Sequence, residues 1–123
     1  MATPPAVVVT GQRLDRAELA RLVQGGFGNM VKFVVDIRRR VMAVGGELHA
    51  DAEALLLEQG SAQDDLWGAN YFPDRGPADC IQFTALINIR PALDNPSMEI
   101  ADPAIRELVR EVASTVLGSG EPL

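Results

Sequence analysis

The sequence predicts an α+β domain: a mainly antiparallel β-sheet of about four to five strands, with N-terminal, central and C-terminal helices packed over one face. Three observations carry this expectation. Residues 31–37 alternate, with Val31, Phe33, Val35 and Ile37 on one side and Lys32, Val34, Asp36 and Arg38 on the other. Residues 81–89 do the same, with Ile81, Phe83, Ala85, Ile87 and Ile89 on one side. Near the C-terminus, Asp102 followed by Pro103 opens a helix whose stripe is Ile105, Leu108, Val109, Val112 and Val116.

The remaining elements follow in order. Ala6-Val7-Val8-Val9 is a short β-branched run that suits a strand, ended by Thr10-Gly11-Gln12. Asp15 is an N-cap and Glu18 completes a capping-box pattern, so a helix carries Leu19, Leu22 and Val23 on one face until Gly25-Gly26 stops it. After Arg38-Arg39-Arg40 the apolar run Val41-Met42-Ala43-Val44 resumes, which places a hairpin turn at the arginines. Residues 47–59 support two periods: Leu48, Ala52, Leu55 and Leu56 make a helical stripe, whereas Glu47, His49, Asp51 and Glu53 alternate with apolar residues as in a strand. Alanine content and Gly60 favour a helix from about Asp51 onward. Residues 66–72 form a strand with Trp67 and Tyr71 on one face, closed by Pro73-Asp74-Arg75-Gly76-Pro77.

The 123 residues, 47% of them apolar, supply one core and one domain, with an ordered body over 6–117 and ends at 1–5 and 118–123 that fray. A single cysteine, Cys80, excludes an intrachain disulfide and a thiolate cage, which favours a reducing, cytoplasmic compartment. No signal-like start and no apolar run of roughly 20 residues is present, so secretion and membrane insertion are not expected. A formal charge of −6 argues against nucleic-acid binding, and the three arginines lack interleaved aromatic residues.

Gly25-Gly26-Phe27-Gly28-Asn29-Met30-Val31-Lys32 has the glycines and lysine of a phosphate loop, but in the order helix, loop, strand; a helix C-cap linker is the better reading. His49 with Glu47, Asp51 and Glu53 is the one gathering of metal-capable or proton-transferring groups. His49, Asp51 and Glu53 are candidate catalytic residues, and Glu47, His49 and Glu53 candidate metal ligands; a polar helix start with a hydrogen-bonded histidine accounts for the same residues. Trp67, Asn70, Asn88 and Arg90, on two neighbouring strands, are candidate ligand-binding residues. Arg90 can clamp a carboxylate or phosphate, or pair with an internal acid such as Asp36 or Asp65. Cys80 has no histidine nearby in sequence to activate it.

Taken together, the blocks Phe27-Gly28-Asn29-Met30-Val31-Lys32, Gly45-Gly46-Glu47-Leu48-His49-Ala50-Asp51, Gly60-Ser61 through Asp65-Leu66-Trp67-Gly68, and Ile87-Asn88-Ile89-Arg90-Pro91 resemble a family of small prokaryotic proteins, domain of unknown function 5674. The likeness covers roughly residues 13–117. It implies no reaction, ligand, cofactor or catalytic residue. Asp94-Asn95-Pro96-Ser97-Met98 is less basic than the family pattern, which weakens an anion-binding idea for this member. The expected function is a non-enzymatic binding or assembly module that self-associates, since no complete catalytic constellation accompanies the abundant apolar residues. The alternative is a small acid–base or metal-assisted hydrolase using His49, Asp51 and Glu53, with Arg90 orienting an anionic substrate.

Overall fold

A computed structural model describes residues 6–123, so the fraying expected of residues 1–5 lies outside the described residues. Among them, five strands form one antiparallel sheet: β1 (Val7–Thr10), β2 (Val31–Asp36), β3 (Val41–Gly45), β4 (Leu66–Tyr71) and β5 (Ile81–Gln82), in the order β1-β3-β2-β4-β5. Three helices accompany it: α1 (Arg16–Gly25), α2 (His49–Glu58) and α3 (Pro103–Val116). The α+β class and the antiparallel sheet expected from the sequence are both present.

Both expected caps form. The Asp15 carboxylate accepts the Ala17 N–H at 3.0 Å, and the Asp102 carboxylate accepts the Ala104 N–H at 2.8 Å. The β2–β3 hairpin turns at residues 37–40, as expected, although no Asn-Gly or Asp-Gly marks it. The fully buried Asp36 takes over that role: its Oδ1 accepts the N–H groups of Arg38 and Arg39 while Oδ2 accepts the Ser61 hydroxyl at 2.6 Å. Arg40 closes the turn in the left-handed region, at φ 56°. Two of the three arginines are occupied within the chain. Arg39 donates to the Gln59 carbonyl and the Ser61 hydroxyl, and Arg40 donates through both terminal nitrogens to Glu111.

The helices cover both faces of the sheet rather than one. Phe33, Val35, Met42, Val44, Trp67 and Tyr71 meet Leu19 and Val23 of α1 and Val109, Val112 and Val116 of α3. On the opposite face, Val34, Ala43 and Leu66 meet Ala52 and Leu56 of α2. The cause lies in β2 and β3, where the second face also carries apolar residues; a strand buried on both sides needs a layer on each. Burial of Ala52 and Leu56 also settles residues 47–59 as a helix, which starts at His49 and ends before Gly60 at φ +97°.

The strand expected over residues 81–89 is only partly formed. β5 ends at Gln82, Phe83 and Ala85 bond to Ile100 and Met98 around an isolated Thr84–Glu99 bridge, and Leu86–Asn88 form a 3-10 turn. The apolar period is real, but the segment crosses the edge of the sheet: Ile81 and Phe83 pack in the first core and Ile87 against the second. Asn88 explains the break. Its Oδ1 accepts the Gly68 N–H and its Nδ2 donates to the Gly68 carbonyl, both at 2.9 Å, so a side-chain amide completes the β4 edge where a strand would have done.

The C-terminal residues 118–121, expected to fray, are tied down. Gly120 donates to the Tyr71 hydroxyl at 2.8 Å, and the Glu121 and Gly120 carbonyls accept the N–H groups of Asp74 and Gly76. No helix among the described residues is long and apolar enough to cross a membrane.

Candidate functional site

The second face of the sheet is not fully covered. α2 lies over Val34 and Leu66, the 84–87 segment lies over the far end of β4, and between them remains a cavity of about 310 Å³. Its walls combine Leu48, Ala50, Ala85, Leu86, Ile87 and Met98 with four polar side chains, Lys32, His49, Asn70 and Thr84. β-sheet register sets the polar corner, because Lys32 of β2 stands directly opposite Asn70 of β4 on this face. The absence of a side chain at Gly68 lets His49, Ala85 and Ile87 pack closely on β4. A Cβ there would lie 2.7 Å from the Ala85 Cβ and 3.1 Å from both the His49 ring and the Ile87 side chain.

His49 is the first residue of α2, and its ring is buried. Its Nε2 lies 2.8 Å from the Ala69 carbonyl, which can only accept, so Nε2 carries the proton and Nδ1 the free lone pair. Burial pushes the imidazole pKa below 6.5, and the nearby Lys32 charge acts in the same direction; the Ala69 carbonyl and the Asn70 side chain oppose them. The ring is therefore neutral at pH 7. Asn70 is itself only 7% exposed. Its Nδ2 donates to Gln82 Oε1 at 2.9 Å and to the Thr84 carbonyl at 3.3 Å, which fixes the amide orientation. Its Oδ1 is buried and meets no donor of the protein at hydrogen-bond geometry, while the Asn70 side chain stands near enough to His49 to favour the imidazolium.

The first turn of α2 adds a third polar element. Leu48 occupies the N-cap in an extended conformation and provides no side-chain cap, so the N–H groups of His49 and Ala50 lack both a cap and a partner within the helix. Both residues line the same cavity.

The structure divides the residues singled out from sequence. It brings His49 and Asn70 together at the cavity, and it brings Glu53, Arg90 and Trp67 together elsewhere. Arg90 does find an internal acid, though neither Asp36 nor Asp65: it pairs with Glu53 at 2.9 Å, donates to the Leu66 carbonyl and lies over the Trp67 ring at 5.3 Å. Asn88 is fully buried in its bonds to Gly68 and Met98. Glu47 and Asp51 are exposed, and among the described residues no three His, Cys, Asp or Glu side chains are grouped to hold a metal ion. Burial raises the Cys80 thiol pKa, the opposite of what a nucleophile needs. Sequence reasoning missed Lys32, Thr84 and Met98. Lys32 read as an outward residue of an alternating strand, and only the register with Asn70 places it at a site.

A family profile matches residues 8–116, under the description "Protein of unknown function (DUF5674)". The chain belongs to the DUF5674 family. The comparisons with curated proteins and with solved structures found no significant match. The match takes in all of the cavity-lining residues of this DUF5674 protein and every helix described above.

A neutral buried histidine has a consequence for stability. Its depressed pKa means that the unfolded chain takes up a proton more readily than the folded one, so the stabilisation is fully present above pH 6.5 and is lost as pH falls toward the folded pKa. Urea midpoints of the wild type should therefore fall between pH 8 and pH 5.5, and His49→Gln should flatten the part of that slope due to the imidazole. Parallel slopes for the two proteins would contradict the assignment.

Proposed function

We propose that this DUF5674 protein is a non-enzymatic binding module whose ligand is a small molecule held between the first turn of α2 and the 84–87 segment. One observation carries the reading: a mostly apolar cavity of about 310 Å³ is lined by the first turn of α2 and the 84–87 segment, with His49, Asn70, Lys32 and Thr84 as its few polar side chains. The apolar walls and the few converging polar groups are the usual composition of a ligand pocket.

The hydrolase reading has less support. Glu53 is neutralised by Arg90, and Asp51 is exposed, so His49 has no carboxylate partner with which to share a proton. A screen of small fragments followed by the His49 imidazole resonances tests the binding reading. Binders are expected to shift His49 and the Asn70 side-chain amide together, and Ala50→Trp, which fills the cavity from an exposed helix position, should abolish the shifts. A screen in which no fragment moves these resonances would sink the reading.

Self-association is a second reading, and the rim of the same cavity favours it. Leu86 is 70% exposed and Leu48 56%, and with Met98 they surround the mouth. Leu57 is also exposed, the outward member of Leu55-Leu56-Leu57. Light scattering is expected to show a dimer that Leu86→Ser with Leu48→Ser returns to the monomer mass. A monomer at all concentrations would remove this reading and leave the binding one standing.

A further inference from the structure

We infer that β1 is an interaction surface for a second copy of this chain: two β1 edges pair antiparallel about a two-fold axis at Val8 and join the two sheets into one. The inference goes beyond the binding reading, does not depend on it, and uses a different surface from the Leu48–Leu86 rim.

The backbone comes first. β1 lies at one end of the sheet order and pairs only with β3, with Val7 opposite Gly45 and Val9 opposite Ala43. Gly46 donates to the Ala6 carbonyl at 3.1 Å, so in this alternating ladder Ala6, Val8 and Thr10 turn their backbone groups toward β3. Val7 and Val9 therefore turn theirs to the open edge, and among the described residues neither the N–H nor the carbonyl of either valine has a backbone partner there. Such an edge accepts another strand unless a proline, a charge, a bulge or a covering segment blocks it. Residues 7–10 contain no charge and no proline, and their register with β3 is unbroken. The opposite end of the sheet is protected: β5 is short, and Asn88 closes the β4 edge beyond it.

Self-complementarity selects the partner. With Val8 on the axis, Val7 of each copy meets Val9 of the other in a hydrogen-bonded pair, and every free backbone group of both valines is matched. A shift of register toward the N-terminus would set Pro5, which has no N–H, against Val9. The side chains agree. Val8 packs with Leu22 toward the first core and Val7 and Val9 toward the second, each still partly exposed, so a second edge extends both apolar layers. Between β1 and α1 runs a groove of about 240 Å³ that includes Ala6, Val8 and Leu22, with Glu18 and Arg21 on its helix wall. Neither charge forms an ion pair among the described residues, and a two-fold axis brings the acid of one copy toward the base of the other.

Hydrogen exchange of the full chain reads the edge directly. Exchange at the Val7 and Val9 N–H groups is expected to slow by about threefold or more between about 20 µM and about 1 mM protein, while Val8 and Thr10, already bonded to β3, change little. A covalent test fixes the register. Val8→Cys places the two thiols across the axis in a pair whose Cα atoms stand about 4.5 Å apart, within disulfide reach, and should cross-link on mild oxidation. Cys80 is buried and does not compete. Thr10→Cys, which faces Ala6 of the second copy, should not cross-link. Val9→Pro removes an outward donor without touching the β3 ladder, and should abolish the concentration dependence. Arg21→Glu, at an exposed helix position, should reduce the Val8→Cys cross-link by about fivefold or more, and Glu18→Arg with Arg21→Glu should restore it, which a loss of folding would not do. Concentration-independent exchange, or equal cross-linking at positions 8 and 10, would overturn the inference. So would loss of the Val8→Cys cross-link on Leu48→Ser with Leu86→Ser, which would assign the contact to the rim instead.

Discussion

Asn88→Ala is expected to destabilise the protein by about 3 kcal/mol or more, the largest loss expected from any single truncation considered. The side chain has no exposed surface and makes three hydrogen bonds, with the Gly68 N–H, the Gly68 carbonyl and the Met98 carbonyl. Asn88 also presents its own carbonyl to Asn95 Nδ2 at 2.7 Å, so the side chain anchors a turn that a second buried asparagine holds from outside. Alanine leaves the β4 backbone at Gly68 without partners in a place water does not reach. It also releases the 86–88 turn, which forms one wall of the cavity, so ligand binding should weaken together with stability. A melting temperature lower by on the order of 10 °C, with a matching fall in the urea midpoint, is the expected readout. Asn88→Asp should be no milder, because it keeps one acceptor but loses both donated bonds and buries a charge. A loss below about 1 kcal/mol for Asn88→Ala would mean that water or a backbone shift replaces these bonds.

Glu53→Ala is expected to cost about 2–4 kcal/mol, close to the range for breaking a buried ion pair. The Glu53 and Arg90 side chains are 14% and 11% exposed, so removing the carboxylate strands a guanidinium against Trp67 with one backbone acceptor, the Leu66 carbonyl. Arg90→Met alone leaves Glu53 on a helix surface from which it can turn toward water, and should cost less. The double variant is the informative one. If the pair is chiefly a means of closing the junction between α2 and the 90–95 turn, Glu53→Leu with Arg90→Met should recover at least half of the Glu53→Ala loss, giving a large coupling energy in a double-mutant cycle. Additive losses would show that the two residues act through separate contacts. Neither change touches the cavity walls, so ligand affinity should change little where the protein remains folded.

Local chemistry in the chain was enough for much of this architecture. Asp15 and Asp102 cap their helices because a short carboxylate beside an apolar stripe satisfies free amide groups wherever the fold places them. The alternation in residues 31–37 dictates a strand, and Trp67 and Tyr71 share a face because strand side chains alternate. The family resemblance was likewise legible, in blocks that fall within the matched residues 8–116.

Other features needed tertiary contacts. Residues 47–59 carried two periods at once, and helix won when Ala52 and Leu56 found Val34, Ala43 and Leu66 to bury against. Residues 81–89 alternated like a strand, yet Asn88 turned inward because the Gly68 peptide on the β4 edge had no strand to bond. The candidate site depended on this kind of information throughout. His49 and Asn70 were visible as polar residues in apolar settings, but Lys32 joins them only through the β2–β4 register, and the unpaired state of Asn70 Oδ1 exists only once every neighbour is in place. Sequence determined the caps, the periods and the membership of the family, because those follow from residues a few positions apart. The tertiary structure decided which acids meet which bases and which acceptor is left over, because these are properties of contacts between residues distant along the chain.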